Sequence, residues 1–175
     1  ARKLAGTAGP QTAALAFGGT GATGIVAITE SWNGSGWTEV ADLTTARQST
    51  TGFGLQPAAL NAGGYNGTAA VANVELWDGS SWSEIADLNT ARYYHTSFGV
   101  STAGLVAGGQ VPSASAIVES WNGTSWTEVN DLNEVKTGSG GAGTQSSGIV
   151  FANNPASVNT EQWDGTSWTE VANLA

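Results

Sequence analysis

The stretch ESWNGSGWTEVADL, residues 30–43, returns as ELWDGSSWSEIADL from Glu75, as ESWNGTSWTEVNDL from Glu119 and as EQWDGTSWTEVANL from Glu161. One unit is therefore written four times, with start-to-start steps of 45, 44 and 42 residues. Tandem self-similarity at that spacing belongs to propeller blades or helical solenoids, so the repeat decides the fold before any single residue is weighed. Function must then be sought where the four copies differ.

Outward from this anchor the rest of the unit falls into line. The pairs Gly18-Gly19, Gly63-Gly64 and Gly108-Gly109 close the apolar runs AALAFGG, AALNAGG and AGLVAGG; the fourth copy reads SGIVFANN, with Ala152-Asn153 in place of the glycines. Further upstream, Ala-Arg recurs at Ala1-Arg2, Ala46-Arg47 and Ala91-Arg92 and becomes Val135-Lys136 in the fourth copy. The repeat thus accounts for the chain as a single domain of four units, residues 1–45, 46–90, 91–134 and 135–175. The opening ARKLAGTAGPQTAALAF, basic and then apolar, has the outline of a leader peptide. It aligns with ARQSTTGFGLQPAALNA and is read instead as the first strands of the first unit.

Within a unit the periodicity is that of strands. STTGFGL (49–55), AALNAGG (58–64), NVELW (73–77) and SWSEI (81–85) are short, glycine-bounded runs of strand length. Four antiparallel strands make one blade. Between the third and fourth strands, Asn-Gly or Asp-Gly supplies the positive φ of a tight hairpin. Trp32 and Trp37, Trp77 and Trp82, Trp121 and Trp126, and Trp163 and Trp168 flank these turns, which uses all eight tryptophans. An indole buries ~150–250 Å², worth roughly 4–6 kcal/mol at ~25 cal/mol per Å² as an upper bound. All eight are therefore expected to be buried within or between blades.

A glycine pair closing the second strand, an aromatic on the third, a tryptophan on the fourth and a basic residue opening the next unit resembles the kelch repeat, whose family fold is the β-propeller. Two departures are a Trp where kelch repeats commonly have Tyr on the third strand, and the missing glycine pair of the fourth unit. The expected fold is accordingly all-β: a β-propeller of four kelch-like four-stranded antiparallel blades. More narrowly, ESWNGTSWTEVNDLN together with AALAFGG resembles the tandem kelch-type repeats of predicted structural or tail-fibre proteins of marine bacteriophages. That likeness implies a virion or extracellular surface location, with a cytoplasmic kelch-type adaptor as the alternative. Kelch propellers commonly have more blades than four. A closed four-bladed ring, an open array completed by a second chain, and a segment of a longer protein are all compatible with the repeat. The small residues of GTAGPQT, STTGFGL, HTSFGVS and GSGGAGT let inner strands crowd a narrow axis, which favours a ring closed within one chain, its fourth unit packed on its first.

Composition narrows the chemistry. Lys and Arg number 5 against 14 Asp and Glu, a net charge of −9, so the surrounding field repels nucleic acid and anionic membranes. No apolar run approaches the ~20 residues of a membrane-spanning helix, and membrane insertion is not expected. The chain has no cysteine and His95 is its only histidine. Thiolate and histidine-rich metal centres are thus ruled out within one chain, and the copper centre of kelch-type oxidases lacks its cysteine and second histidine. No cofactor or metal is expected. Carboxylate pairs such as Glu75 and Asp78 occur, but Asp78 and Asp164 exchange with Asn33 and Asn122 at the turn, and a general acid is not freely exchanged for an amide. The chain is read as no enzyme, with carbohydrate-active chemistry ranked third. Glycosylation sequons at Asn33, Asn66 and Asn122 fall in turns that Asn-Gly chemistry already explains.

Four of the five basic residues, Arg2, Arg47, Arg92 and Lys136, occupy one repeat position, and each unit also offers an invariant glutamate immediately ahead of its third-strand Trp motif, Glu30, Glu75, Glu119 or Glu161. These are expected to form structural ion pairs, satisfying charges that are costly to bury alone; a ring of cations for an anionic ligand is the alternative. Binding is sought on the loops joining second and third strands, TGATG, YNGTAAVA, QVPSASA and NPASV, because function concentrates on variable loops held by a rigid scaffold. Near them, Tyr93, Tyr94 and His95 replace Gln48, Ser49 and Thr50 of the second unit. With Tyr65 they are the candidate ligand-binding residues, since aromatics with polar tips suit sugars or protein surfaces. The leading expectation is a non-enzymatic structural or receptor- and glycan-binding module whose partner is a protein or glycan surface.

Overall fold

The computed structural model describes residues 1–153 and 157–174. The first unit contributes β1 (Gly6–Ala8), β2 (Ala14–Phe17), the short β3 (Thr20–Gly21) and β4 (Gly24–Ile25), then β5 (Thr29–Trp32) and β6 (Trp37–Val40). The second contributes β7 (Thr51–Leu55), β8 (Ala58–Tyr65), β9 (Ala70–Trp77) and β10 (Trp82–Glu84). The third contributes β11 (Thr96–Val100), β12 (Ala103–Ala107), β13 (Gln110–Val111), β14 (Ser113–Ala114), β15 (Val118–Trp121) and β16 (Trp126–Val129). The fourth contributes β17 (Gly140–Thr144), β18 (Ser147–Asn153), β19 (Ser157–Trp163) and β20 (Trp168–Val171). Among the described residues there is no helix. The strands form four antiparallel four-stranded sheets, β1-β2-β5-β6, β7-β8-β9-β10, β11-β12-β15-β16 and β17-β18-β19-β20, and two ribbons, β3-β4 and β13-β14.

The ribbons are an addition to the four sheets expected from the repeat, and the glycine pair explains them. In the second unit β8 and β9 run through it by a register shift between Ala62 and Gly64. In the first and third units the ladder breaks there and resumes as a separate hairpin. The segments TGATG and QVPSASA are therefore largely paired backbone rather than free loops. NPASV overlaps residues 154–156, outside the described residues.

Each hairpin between third and fourth strands is closed by one side chain. Oδ1 of Asn33, Asp78, Asn122 and Asp164 accepts the backbone N–H groups two and three residues on. Asn66 does the same at the tip of β8 and β9. This fixes register, so Trp32 lies opposite Trp37, Trp77 opposite Trp82, Trp121 opposite Trp126 and Trp163 opposite Trp168. The indoles of each pair lean on one another at 5.1–5.4 Å between ring centres.

The hydrophobic core lies between the sheets rather than within them. Leu15, Phe17 and Leu43 of the first unit pack on Ala59, Trp77 and Trp82 of the second. Phe53, Leu60, Val74 and Leu88 of the second pack on Val106, Trp121 and Trp126 of the third. Phe98, Leu105, Val118 and Leu132 of the third pack on Val150, Trp163 and Trp168 of the fourth. Each junction thus presses a tryptophan pair onto the preceding sheet's phenylalanine, edge-on for Phe17 with Trp82 and Phe53 with Trp126. The phenylalanine changes strand along the series. In the first and fourth units it is on the second strand (Phe17, Phe151), paired across from Gly6 and Gly140; in the second and third it moves to the first strand (Phe53, Phe98), with alanine in its former place (Ala62, Ala107). At each junction the ring lies over a glycine of the next sheet. A Cβ at Gly52 would overlap Phe17, one at Gly104 would overlap Phe53, and one at Gly148 would overlap Phe98.

Neighbouring sheets follow one another in chain order, β1 beside β7, β7 beside β11 and β11 beside β17. A backbone ladder stitches the same edge: Ser49 N–H donates to Leu4 O at 2.9 Å, Tyr94 N–H to Ser49 O at 3.0 Å and Gly138 N–H to Tyr94 O at 2.7 Å. Leu4, Ser49, Tyr94 and Gly138 hold φ of 58°, 53°, 55° and 65°, a left-handed conformation costly for side-chain-bearing residues. Small residues do crowd the inner strands: Ala5, Gly6, Thr7, Thr50, Thr51, Gly52, Thr96 and Ser97 line a cleft of about 160 Å³. The structure shows no closed ring. Among the described residues the ladder has three links and none returns from Leu4 to Gly138. The expected meeting of Ala1 with Ala175 involves a residue outside those described.

The expectation for the tryptophans needs a matching correction. Six are buried at 2–6% exposure, but Trp32 is only half-buried and Trp37 is 50% exposed. They sit on the side of the first sheet that no described sheet covers, and so lack the phenylalanine that seals their counterparts.

Candidate functional site

The repeated cations meet the repeated glutamates. Arg2 Nη2 lies 2.5 Å from Glu30, Arg47 Nη2 2.6 Å from Glu75 and Arg92 Nη2 2.6 Å from Glu119. Lys136 Nζ is 3.7 Å from Glu161 and 3.2 Å from Glu134. The two central pairs are wholly buried. Burial pulls both guanidinium groups below their usual pKa, and Glu75 and Glu119 oppose that pull. These glutamates also accept the backbone that arrives from the preceding sheet: Thr44 N–H reaches Glu75, Asn89 N–H reaches Glu119 and Asn133 N–H reaches Glu161, each at 2.7 Å. The cation's own carbonyl locks the other side, accepting the N–H of Gly19 from Arg47, of Gly64 from Arg92 and of Gly109 from Lys136 at 2.7–2.8 Å. That contact explains the glycine pairs. Gly18, Gly63 and Gly108 have φ of 57–67°, and a Cβ there would stand only 2.5–2.7 Å from the carbonyl oxygen of the next unit's cation. Ala152 adopts the same conformation, φ 61°, where no described sheet follows. The groups of the second to fourth units are thus consumed in joining sheets, while Arg2 bonds Glu30 and carbonyls of its own unit. Among the described residues no open ring of cations is left for an anion.

His95 does not belong with the surface tyrosines. It is 2% exposed, between the second and third sheets, and its Nε2 lies 3.1 Å from Ala62 O. Burial first, then the nearby Arg92 and Arg47 charges, hold its pKa down at about 3. It is a neutral imidazole donating Nε2–H across the junction to Ala62 O, the carbonyl that its counterpart Thr50 reaches from within the second unit. The left-handed turn at Tyr94 made the difference: Tyr94 is exposed and the two residues after it are buried.

Tyr65, Tyr93 and Tyr94 form one aromatic patch. Tyr65 and Tyr93 stand 5.4 Å apart between ring centres and Tyr93 and Tyr94 5.1 Å, both tilted. Tyr65 ends β8 beyond the glycine pair and bridges to Gln48; Tyr93 bridges to Gln110. The patch therefore lies where the second and third units meet, on the side carrying the β3-β4 and β13-β14 ribbons. Tyr94 is 37% exposed, and among the described residues none of the three phenol hydroxyls makes a hydrogen bond within the chain. A second concavity, not anticipated from sequence, lies at the hairpin end of the same junction: a cleft of about 460 Å³ between Leu76, Trp77, Asp78 and Ile85 on one side and Ser101, Thr102 and Trp121 on the other. At this junction Trp77 Nε1 has no hydrogen-bond partner among the described residues, whereas the third-strand indoles of the other units donate to the carbonyls of Gln11, Ser101 and Gln145.

The carboxylates in these places are acceptors. Asp78 is fully exposed, and the hydroxyl and N–H of Ser80 with the N–H of Ser81 lower its pKa to about 2. Asp164 is lowered in the same way by Ser167 and Thr166. Neither holds a proton to donate at neutral pH. Among the described residues no three His, Asp or Glu side chains gather as a metal site, and no helix is long and apolar enough to cross a membrane. No protein-family model matches the chain, and no curated protein matches it significantly.

Proposed function

We propose that the chain is a non-enzymatic binding module built on a β-propeller-type array of kelch-like blades, serving in a virion appendage or on another extracellular surface, and that the Tyr65–Tyr93–Tyr94 patch contacts a glycan. The observation that carries this reading is the patch itself: three contiguous rings, exposed at Tyr94, whose hydroxyls make no hydrogen bond among the described residues. Aromatic faces stack on the apolar faces of sugar rings and the free hydroxyls meet their polar edges. The net charge of −9 favours a neutral or cationic partner over an anionic one. The second unit places Gln48 and Ser49 where the third places Tyr93 and Tyr94, so the tyrosines are not demanded by the repeat.

The test is a Tyr93→Ser/Tyr94→Ser variant. Its circular dichroism and melting point should match those of the parent within a few degrees, because Ser49 already tolerates the left-handed conformation of Tyr94. Binding to immobilised neutral glycans should fall at least tenfold, the loss of about 1.4 kcal/mol or more that a stacked ring contributes. Unchanged glycan binding by the variant, or its unfolding, would reject the site.

A further inference from the structure

The uncovered sides of the first and fourth sheets are the two halves of one junction. The first sheet offers the tryptophan pair, Trp32 and Trp37, with Glu30, which among the described residues receives no backbone N–H of the kind that Glu75, Glu119 and Glu161 accept. The fourth offers Phe151, set across from Gly140 as Phe17 is from Gly6. Because the fourth unit repeats the Phe17 arrangement, the covered junction to compare is the one between first and second sheets. There Phe17 lies over Gly52. The residue at that place in the first unit is Thr7, matched to Ala16 as Gly52 is to Asn61. Its side chain occupies the ground on which Phe151 would rest. The alternative seat, glycine at Gly104 and Gly148, is Ala14 in the first unit.

The second obstruction lies on the other half. At every covered junction the first position of the glycine pair, Gly18, Gly63 or Gly108, is glycine at positive φ, leaving room for the next cation's carbonyl. In the fourth unit it is Ala152, whose Cβ points where the Arg2 carbonyl would enter. Apolar complementarity and steric fit thus disagree, and they disagree at both contact points.

We propose that Thr7 and Ala152 act as selectivity residues on these faces, excluding copies of this chain from the junction that the faces otherwise match. A heterologous contact between unlike faces builds open filaments unless its rotation closes. Two added side chains per contact suppress that outcome while leaving each sheet free to fold. Thr7 sits on an exposed inner strand position and Ala152 already adopts a glycine-like φ, so neither side chain is needed for folding.

The experiment compares the parent chain with Thr7→Gly/Ala152→Gly and with the same variant carrying Trp37→Ala. Two quantities are read: mass by sedimentation velocity, and hydroxyl-radical oxidation of Trp37 by peptide mass spectrometry. The parent should sediment as one chain with Trp37 readily oxidised. In the double variant Trp37 oxidation should drop several-fold, with mass rising if the faces join between chains and unchanged if they join within one. Adding Trp37→Ala should return the mass to that of a single chain, or release the Phe151 peptide from protection where the ring had closed. A parent already protected at Trp37 would overturn the proposal, as would a folded double variant in which Trp37 remains as reactive as before.

Discussion

Replacing Trp82 by alanine and, separately, Trp37 by alanine removes the same side chain from the same repeat position in two settings. Trp82 is 6% exposed, stands edge-on to Phe17 at 5.0 Å, leans on Trp77 at 5.4 Å and donates its indole N–H to Thr29 Oγ1 at 3.0 Å. Its loss opens a cavity walled by two sheets that cannot close without separating, at a cost of ~3–5 kcal/mol. Trp37 is 50% exposed and leans on Trp32. Half of an indole's area is at stake with no cavity behind it, about 1–3 kcal/mol after allowance for burial in the unfolded chain. Both variants are unfolded in urea and followed by circular dichroism. The midpoints should differ by about 1 M, the Trp82 variant lower, from a gap of about 2 kcal/mol and an m-value of about 2 kcal/mol per M. Losses equal within about 0.5 kcal/mol would show that the tryptophans stabilise their own hairpins, and the account of a core shared between sheets would fail.

Two further outcomes follow from the charges. Glu119→Gln leaves Arg92 buried without a counter-charge and should cost ~3–5 kcal/mol, whereas Glu30→Gln, in a pair open to solvent, should cost less than about 1 kcal/mol by the same urea titration. His95 has a folded pKa of about 3 against an ordinary 6.5, so the unfolded chain takes up the proton first: the stability is complete above pH 6.5 and is lost as pH falls toward 3, by about 1.4 kcal/mol per unit. His95→Gln should flatten the slope of stability between pH 6 and 5, above the main carboxylate range, and an unchanged slope there would contradict the neutral, buried imidazole.

Much of the architecture could be read from the repeat because its signals are local. The Asn-Gly and Asp-Gly turns set the register that brings Trp77 opposite Trp82, and the common spacing of Arg47 to Glu75 and Arg92 to Glu119 marked the pairs. What escaped depends on neighbours. Trp37 carries the same local sequence as Trp126, and only the absence of a covering sheet exposes it. His95 looked continuous with Tyr93 and Tyr94 because three adjacent letters carry no direction. The left-handed φ at Tyr94, just ahead of the strand, turns it inward. The movement of phenylalanine from Phe17 to Phe53 reads as drift in an alignment, and becomes compensation only when the register puts Ala8 at the first unit's counterpart of Phe53 and Ala62 at the second unit's counterpart of Phe17. Ala152 looked like decay of the glycine pair, while its meaning lies in the carbonyl that Gly18, Gly63 and Gly108 must admit.

Because every apolar cluster is divided between two successive sheets, no sheet possesses an interior of its own. The second and third are clamped on both sides, the first and fourth on one. Stability in such a series is a sum over junctions rather than over units, so unfolding should run as unzipping from the flanks: β1, β2, β5, β6 and β17 to β20 should exchange their amide hydrogens early, and β8, β9, β12 and β15 should hold theirs until the whole array opens. A surface patch seated on the junction between second and third sheets, as the three tyrosines are, rides on the last part of the molecule to melt.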